Sequence, residues 1–570
     1  MSIFINLLNI NIKIKIMNKI EIFCENNNQY RKYPLGVTLQ EVADDMNITS
    51  EFPVCGALVN NKVRELSFGV VKPKNIRFIS YSHPDGQRMY IRSLFFLIYV
   101  AVKEVYPNAR LKIDHAISRG FYCELEELEE PFSADHVEAI KKRMDELVEG
   151  DLPFDRQGKQ LDKILAEYST NGLDDKVRLY SEMGLLYAYI YYLNGHPNYF
   201  HGHLLPSTSF LSKFDLEQFN GGMLLRVPSQ QSYTQLRDFV RQDKLFSIFR
   251  EYKDWAEIVG VDDIGKLNLL VKQGKAGDVI KIAEALHEKK VANIATTISE
   301  REPKVKIVLI AGPSSSGKTT FTKRLAVQLA VCGITARMIS LDNYFVDRQH
   351  TPVDSEGNYD FEALEAIDIP FFNEQLNQLI SGKAVEIPKF SFATGNRSFD
   401  GEIIQLEENQ VLIIEGIHGL NPNLLPMIDP ALTFKIFISA LTSISIDDHN
   451  PISTTDNRLI RRMIRDSKYR GYTALETFKR WPSVRRGEEA NIFPHQENAD
   501  MMFNTALLYE LGVLKKYAEP LLKSVPENQP EFSESLRLLK FLGYFKEIDD
   551  SEIPPTSLIR EFLGGSSFKY

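Results

Sequence analysis

Residues 305–320 read VKIVLIAGPSSSGKTT, and within them Gly312, Gly317, Lys318 and Thr319 fill every fixed position of the pattern G-x-x-x-x-G-K-[ST]. The apolar run 305–310 reads as a buried strand, and Phe321, Leu325 and Leu329 recur at helical spacing behind the loop. A strand that turns through such a loop into a helix aims successive backbone N–H groups, and the positive helix end, at one point in space. Phosphate binds there. Glycines stand where a side chain would block the backbone or where φ must be positive. Ser314, Ser315, Ser316 and Thr320 complete the cradle, Lys318 adds a mobile cation, and the Thr319 hydroxyl suits a magnesium that bridges phosphates. The feature predicts an α/β, doubly wound parallel sheet of the P-loop type that holds a nucleotide and Mg²⁺.

Further apolar strands follow, each ending on a polar residue. The run 336–341 ends at Asp342, 411–414 at Glu415, and 434–438 at Ser439. In doubly wound sheets the ligand crevice lies at the carboxyl ends of the strands. Asp342 and Glu415 are therefore expected beside Lys318 and Thr319. A carboxylate there either holds the metal, with Thr319, or takes a proton from an attacking hydroxyl. Arg458, Arg461, Arg462 and Arg465 are spaced i, i+3, i+4, i+7, so they share one helical face. Clustered cations repel unless an anion is present, so this face is expected to clamp phosphate as a lid.

At 570 residues several domains are expected. A net charge of −9 argues against wholesale binding to nucleic acid or acidic membranes. Four scattered cysteines form no C-x-x-C and read as reduced thiols of a cytoplasmic protein. The longest apolar stretches are too short to cross a bilayer. Residues 1–16 read as a disordered or artefactual extension, with Met17 as the working start.

Residues 17–81 combine short strands with an amphipathic helix beginning at Thr38, whose spacing to Glu41 fits a capping box. The pattern suggests a ubiquitin-like α+β module, and KYPLGVTLQEVADDM resembles the TGS domain at the front of threonyl-tRNA synthetases. Residues 82–228 hold VAVKEVYPNARLKIDHAISRGFYCEL and MDELVEGDLPFDR, which resemble the α+β editing domain of the same synthetases. That resemblance implies an H-x-x-x-H pair with a further Cys and His downstream, but Arg92 and Phe96 stand at the pair and the downstream region Phe200-His201-Gly202-His203 lacks the Cys. Editing is not carried over, and His83, His201 and His203 read as solvated loop residues ahead of metal ligands. Residues 229–300 read as a helical connector, 301–520 as the P-loop domain, and 521–570 as a helical, partly ordered C-terminal tail.

GPSSSGKTT, ISLDNYF, NYDFEALEAID, IPKFSF, VLIIEGIHGLN and RLIRRMIRD, in this order, resemble the uridine kinase and phosphoribulokinase family. The resemblance implies Asp342 as general base, Lys318 and Arg458 in catalysis, Thr319 and Glu415 on magnesium, and Asp360, Phe390, Arg397 and Arg458 on the substrate. Arg461, Arg462 and Arg465 would belong to the ATP lid. Phe390 can stack on a base but lacks a hydroxyl to read it. The expected reaction is transfer of the γ-phosphoryl of ATP to a nucleoside 5′-hydroxyl, uridine or cytidine first. Another nucleoside or a sugar phosphate remains open as acceptor. So does a different class, a nucleotide-gated RNA- or ribosome-binding regulator, which the absence of an Asn-Lys-x-Asp motif disfavours. The front half could sense a ligand, mediate homo-oligomerisation or restrain the kinase.

Overall fold

The computed structural model describes residues 19–229, 233–353, 357, 359–391 and 394–569; the expected extension 1–16 and the start at Met17 lie outside them. The first module is a five-stranded sheet in the spatial order Gln29–Pro34, Lys19–Cys24, Lys74–Ser80, Val54–Val59, Lys62–Arg64. Lys19–Cys24 alternates exposed and buried positions, as a one-sided strand must, and its inner residues pack on the helix Leu39–Asp45. Thr38 and Glu41 close a reciprocal capping box at that helix.

The second module is organised by the helix Pro84–Val105, whose last turns are buried on nearly every side. A stretch with no exposed side, as Ser93–Val102 is, must be covered all round. A four-stranded antiparallel sheet and a separate three-stranded sheet, Asp155–Gln160, Tyr187–Leu193 and His196–Asn198, supply that cover together with neighbouring helices. Three helices, Asp243–Val259, Ile264–Lys272 and Ala276–Glu300, then lead into the last sheet.

Strands of that sheet are numbered from its own start: β1 Ile307–Ala311, β2 Thr335–Ser340, β3 Gln410–Glu415, β4 Thr433–Ser439 and β5 Met501–Asn504. They run parallel in the order β2-β3-β1-β4-β5. Every residue of β1 is buried, because a central parallel strand is covered on both faces, and IVLIA is apolar throughout. Each such Ile or Leu contributes about 1.5–3 kcal/mol by leaving water. Helix α1, Lys318–Val331, follows β1; α2, Thr454–Arg470, and α3, Ala474–Asn491, lie over the carboxyl end of the sheet.

Residues beyond 520 are not a loosely attached tail, which corrects the expectation above. Helix α4, Phe532–Leu542, carries Arg537, which grips Asp456 of α2 with two hydrogen bonds of 2.6 and 2.7 Å. Leu558, Ile559, Phe562 and Leu563 are buried, so the chain's last turns are core. Among the described residues no helix is long and apolar enough to cross a membrane.

Candidate active site

At Gly312 the chain leaves β1 so close to β4 that a Cβ would lie 2.1 Å from the Ile438 carbonyl oxygen. Ser315 at φ 58° and Gly317 at φ 86° coil the loop through left-handed backbone into α1. The Ser315 and Ser316 hydroxyls are buried without a hydrogen-bond partner, the kind of orphan that an incoming phosphate would satisfy. The Lys318 ammonium folds back on the loop, donating to the carbonyls of Gly312 at 2.9 Å and Pro313 at 3.1 Å. Burial holds its pKa below the ordinary lysine value, against the pull of Glu415 and Asp342.

Thr319 Oγ1 donates to both Glu415 oxygens, at 3.2 Å each. Burial pushes the Glu415 carboxyl up to about 7; Lys318 opposes the rise, and Glu561 and Asp342 add to it. A hydroxyl beside a carboxylate that lacks a counter-cation is a donor set that fits magnesium. Among the described residues no group of three His, Cys, Asp or Glu makes a self-sufficient cation site, so phosphate oxygens would complete this one. Asp342, just past β2, opens to solvent, yet the surrounding cleft desolvates and raises its carboxyl while Lys318 and Arg470 oppose the shift. The field of Lys318 thus reaches both predicted carboxylates.

The four arginines of α2 do not form one open face. Arg458 is buried in an ion pair with Glu488 and donates from Nε to the Ser314 carbonyl at 2.9 Å. Glu488 in turn accepts the Ser314 N–H at 2.9 Å. Arg461 is buried too, paired with Glu510 and donating to the Thr505 carbonyl at 2.9 Å, while Thr505 Oγ1 donates to the Ser316 carbonyl at 2.6 Å. These two brace the loop from behind, which corrects the expected substrate contact of Arg458 and lid position of Arg461. Helix periodicity was right, but two buried carboxylates select which cations turn inward. Arg462 donates to Ser314 Oγ at 2.6 Å, and Arg465 lies 3.0 Å from Asp466. The charge of Arg465 lowers Lys318, and that of Arg470, which the sequence reading did not single out, opposes the rise of Asp342.

A family model described as Phosphoribulokinase / Uridine kinase family matches residues 307–508. A uridine kinase of Staphylococcus aureus is 32% identical over 200 residues, 34% of this chain and 86% of that protein. The chain belongs to the phosphoribulokinase/uridine kinase family. Its kinase domain is a phosphotransferase built on the geometry above. A threonine–tRNA ligase of Carboxydothermus hydrogenoformans is 28% identical over 196 residues, 34% of this chain but only 31% of that protein. The structure of a possible uridine kinase from Bacillus stearothermophilus overlays 38% of this chain and 98% of its own, with 18% identity and a TM-score of 0.26, too low to carry weight.

In the kinase domain the expected acceptor residues lie apart from the phosphate loop's own contacts. Asp360 accepts the Glu362 N–H at 3.0 Å, and Arg397 is tied to Asp368 at 2.8 Å with its guanidinium over Phe371. Phe390 meets Phe345 edge-on at 5.5 Å. Glu362, two residues past Asp360, is the carboxylate that enters the field of Lys318. Burial and Glu488 push it up to about 7, against Arg462 and Lys318. Nothing in its sequence neighbourhood distinguished it from a surface acid.

A second residue escaped notice. Glu561 accepts the Thr320 N–H at 3.2 Å and the Thr320 hydroxyl at 2.8 Å, across 241 positions of chain. In the front half, His83 caps its helix by accepting the Asp85 N–H. His201 and His203 are half-buried and held below the usual histidine range by that burial, so they are not solvated loop residues.

Proposed function

We propose that this protein transfers the γ-phosphoryl of ATP to the 5′-hydroxyl of a nucleoside, uridine or cytidine. The observation that carries the reading is the gathering of Lys318, Thr319, Glu415 and Asp342 at the carboxyl ends of β1, β2 and β3. Loop amides and Lys318 hold the phosphates, and Thr319 with Glu415 would hold magnesium, which supplies charge neutralisation. Asp342, its proton affinity raised by the cleft, accepts the hydroxyl proton. Arg462, Arg465 and Arg470 stand where charge spreads over the transferred group, so positioning and electrostatics do most of the catalysis.

On the acceptor side, Asp360 holds ribose hydroxyls and Phe390 stacks on the base, with Arg397 fixing the hairpin that carries Phe390. The two front modules, TGS-like and editing-domain-like, are retained without editing chemistry. An assay of the full chain with radiolabelled ATP and a panel of nucleosides, with ribulose 5-phosphate alongside, tests this. Uridine or cytidine should be labelled fastest, and labelling of no nucleoside would overturn the proposal.

A further inference from the structure

A cavity of about 400 Å³ lies where the first module, the second module and helix α4 meet. Arg64 enters from the first module, Arg92 and Arg156 from the second, and Lys540 from α4. The carboxylates nearby are already engaged. Asp85 holds Arg88 at 2.7 Å, Glu534 holds Arg88 at 2.8 Å and Arg537 at 2.6 Å, and Glu65 takes His203 at 3.2 Å. Among the described residues Arg92 and Lys540 have no carboxylate partner. Burial draws Arg92 down to about 10, and Arg88 and Arg537 add to the fall. Lys540 is lowered by burial and by Arg64, Arg156 and Arg92. Arg156 reaches Glu65 at 3.9 Å, whereas Arg92 and Lys540 face the other cations uncompensated, a cost that an anion removes.

Two further groups are unsatisfied. His201 Nε2 and Arg156 Nε are buried with no hydrogen-bond partner. Gly202 keeps the wall thin, since a Cβ there would sit 2.4 Å from an Arg92 guanidinium nitrogen. At the mouth the strand Tyr187–Leu193 carries Tyr187 and Tyr189, 65% and 53% exposed, and Arg156 lies over the Tyr189 ring at 3.6 Å. Exposed aromatic faces beside guanidinium groups recognise a planar ring that bears an oxyanion. The cavity's size is that of a small-molecule site, and the chain's net charge of −9 disfavours a long polyanion.

We propose that this cavity is a second binding site, distinct from the kinase cleft, for a mononucleotide-sized phosphorylated compound with a planar ring. The phosphate lies between Arg92 and Lys540, and the ring rests on the tyrosines of the mouth.

Calorimetry on the full chain tests it, with uridine 5′-monophosphate as probe and inorganic phosphate and a short oligoribonucleotide as comparators. Wild type should take up a mononucleotide equivalent that Arg92→Met and Lys540→Gln each weaken roughly tenfold or more. The probe should also raise the melting temperature of wild type more than that of Arg92→Met. The empty Arg92→Met protein should melt no lower than wild type, because a repelled cation has gone; this separates lost binding from lost folding. Binding that neither substitution changes would overturn the proposal. Tighter uptake of the oligoribonucleotide would overturn it in favour of an RNA surface, and equal affinity for inorganic phosphate would remove the ring.

Discussion

Replacing Glu561 by Ala should tighten ATP binding. Its carboxylate takes the N–H and the hydroxyl of Thr320, which is fully buried in the first turn of α1. First-turn N–H groups have no partner inside the helix, and they are the groups a nucleotide phosphate needs. ATP and Glu561 therefore compete for one amide. A hydrogen bond to a charged group is worth about 1.5–3 kcal/mol net, and both contacts here share one oxygen at the low end of that range. About 1.5–2.8 kcal/mol corresponds to a loop open in only a tenth to a hundredth of molecules, so apparent affinity falls by the same roughly 10- to 100-fold. Glu561→Ala should lower KM for ATP about tenfold or more with little change in kcat, and Glu561→Gln should lower it less. The anchors Leu558, Phe562 and Leu563 stay buried, so the segment remains docked. Less magnesium should also be needed, because Glu561 raises the Glu415 carboxyl. Steady-state kinetics at varied ATP, with calorimetry on a non-hydrolysable analogue, reads both effects. An unchanged or higher KM would refute the competition.

Other substitutions separate the remaining roles. Asp342→Asn should bind ATP almost normally and lose about 10²–10⁴ in transfer rate, read by single-turnover kinetics; near-wild-type turnover would remove Asp342 as the base. Arg458→Met should destabilise by about 1–3 kcal/mol in urea unfolding, because the buried Glu488 then keeps only Arg485, at 3.1 Å, as its ion-pair partner, whereas adding Glu488→Leu should recover part of it. Glu362 has a folded pKa of about 7 against an ordinary 4.5, so its protonated form stabilises below 4.5 and that contribution is lost as pH rises through about 7. Glu362→Gln should therefore match wild type near pH 4.5 and exceed it above pH 7, by at most about 3 kcal/mol. A pH-independent gap in the urea midpoints would discard the assignment.

How much of this was legible depends on the range of each interaction. The phosphate loop, Glu415 and Asp342 were readable because strand, loop and strand-end carboxylate are each local patterns, and a parallel sheet brings strand ends together whatever lies between. The arginine helix was readable as a periodicity but not as an orientation. Arg458 and Arg461 turn inward only because Glu488 and Glu510, 30 and 49 positions away, are buried opposite them. Glu561 gave no signal, since a lone acid near a chain end acquires meaning only when the fold lays it on an amide. The cavity follows the same logic. Arg92 replaces a residue the editing resemblance required, and sequence showed that as a loss. Convergence of Arg64, Arg156 and Lys540 from three parts of the chain shows it as a gain. Lys540 of α4 lines that cavity and Glu561 sits in the separate short helix Arg560–Leu563, so the chain after 532 touches both anion sites. That shared element is where occupancy of one site would have to be felt at the other, and KM for ATP measured with and without the cavity's ligand, in wild type and in Glu561→Ala, resolves whether it is.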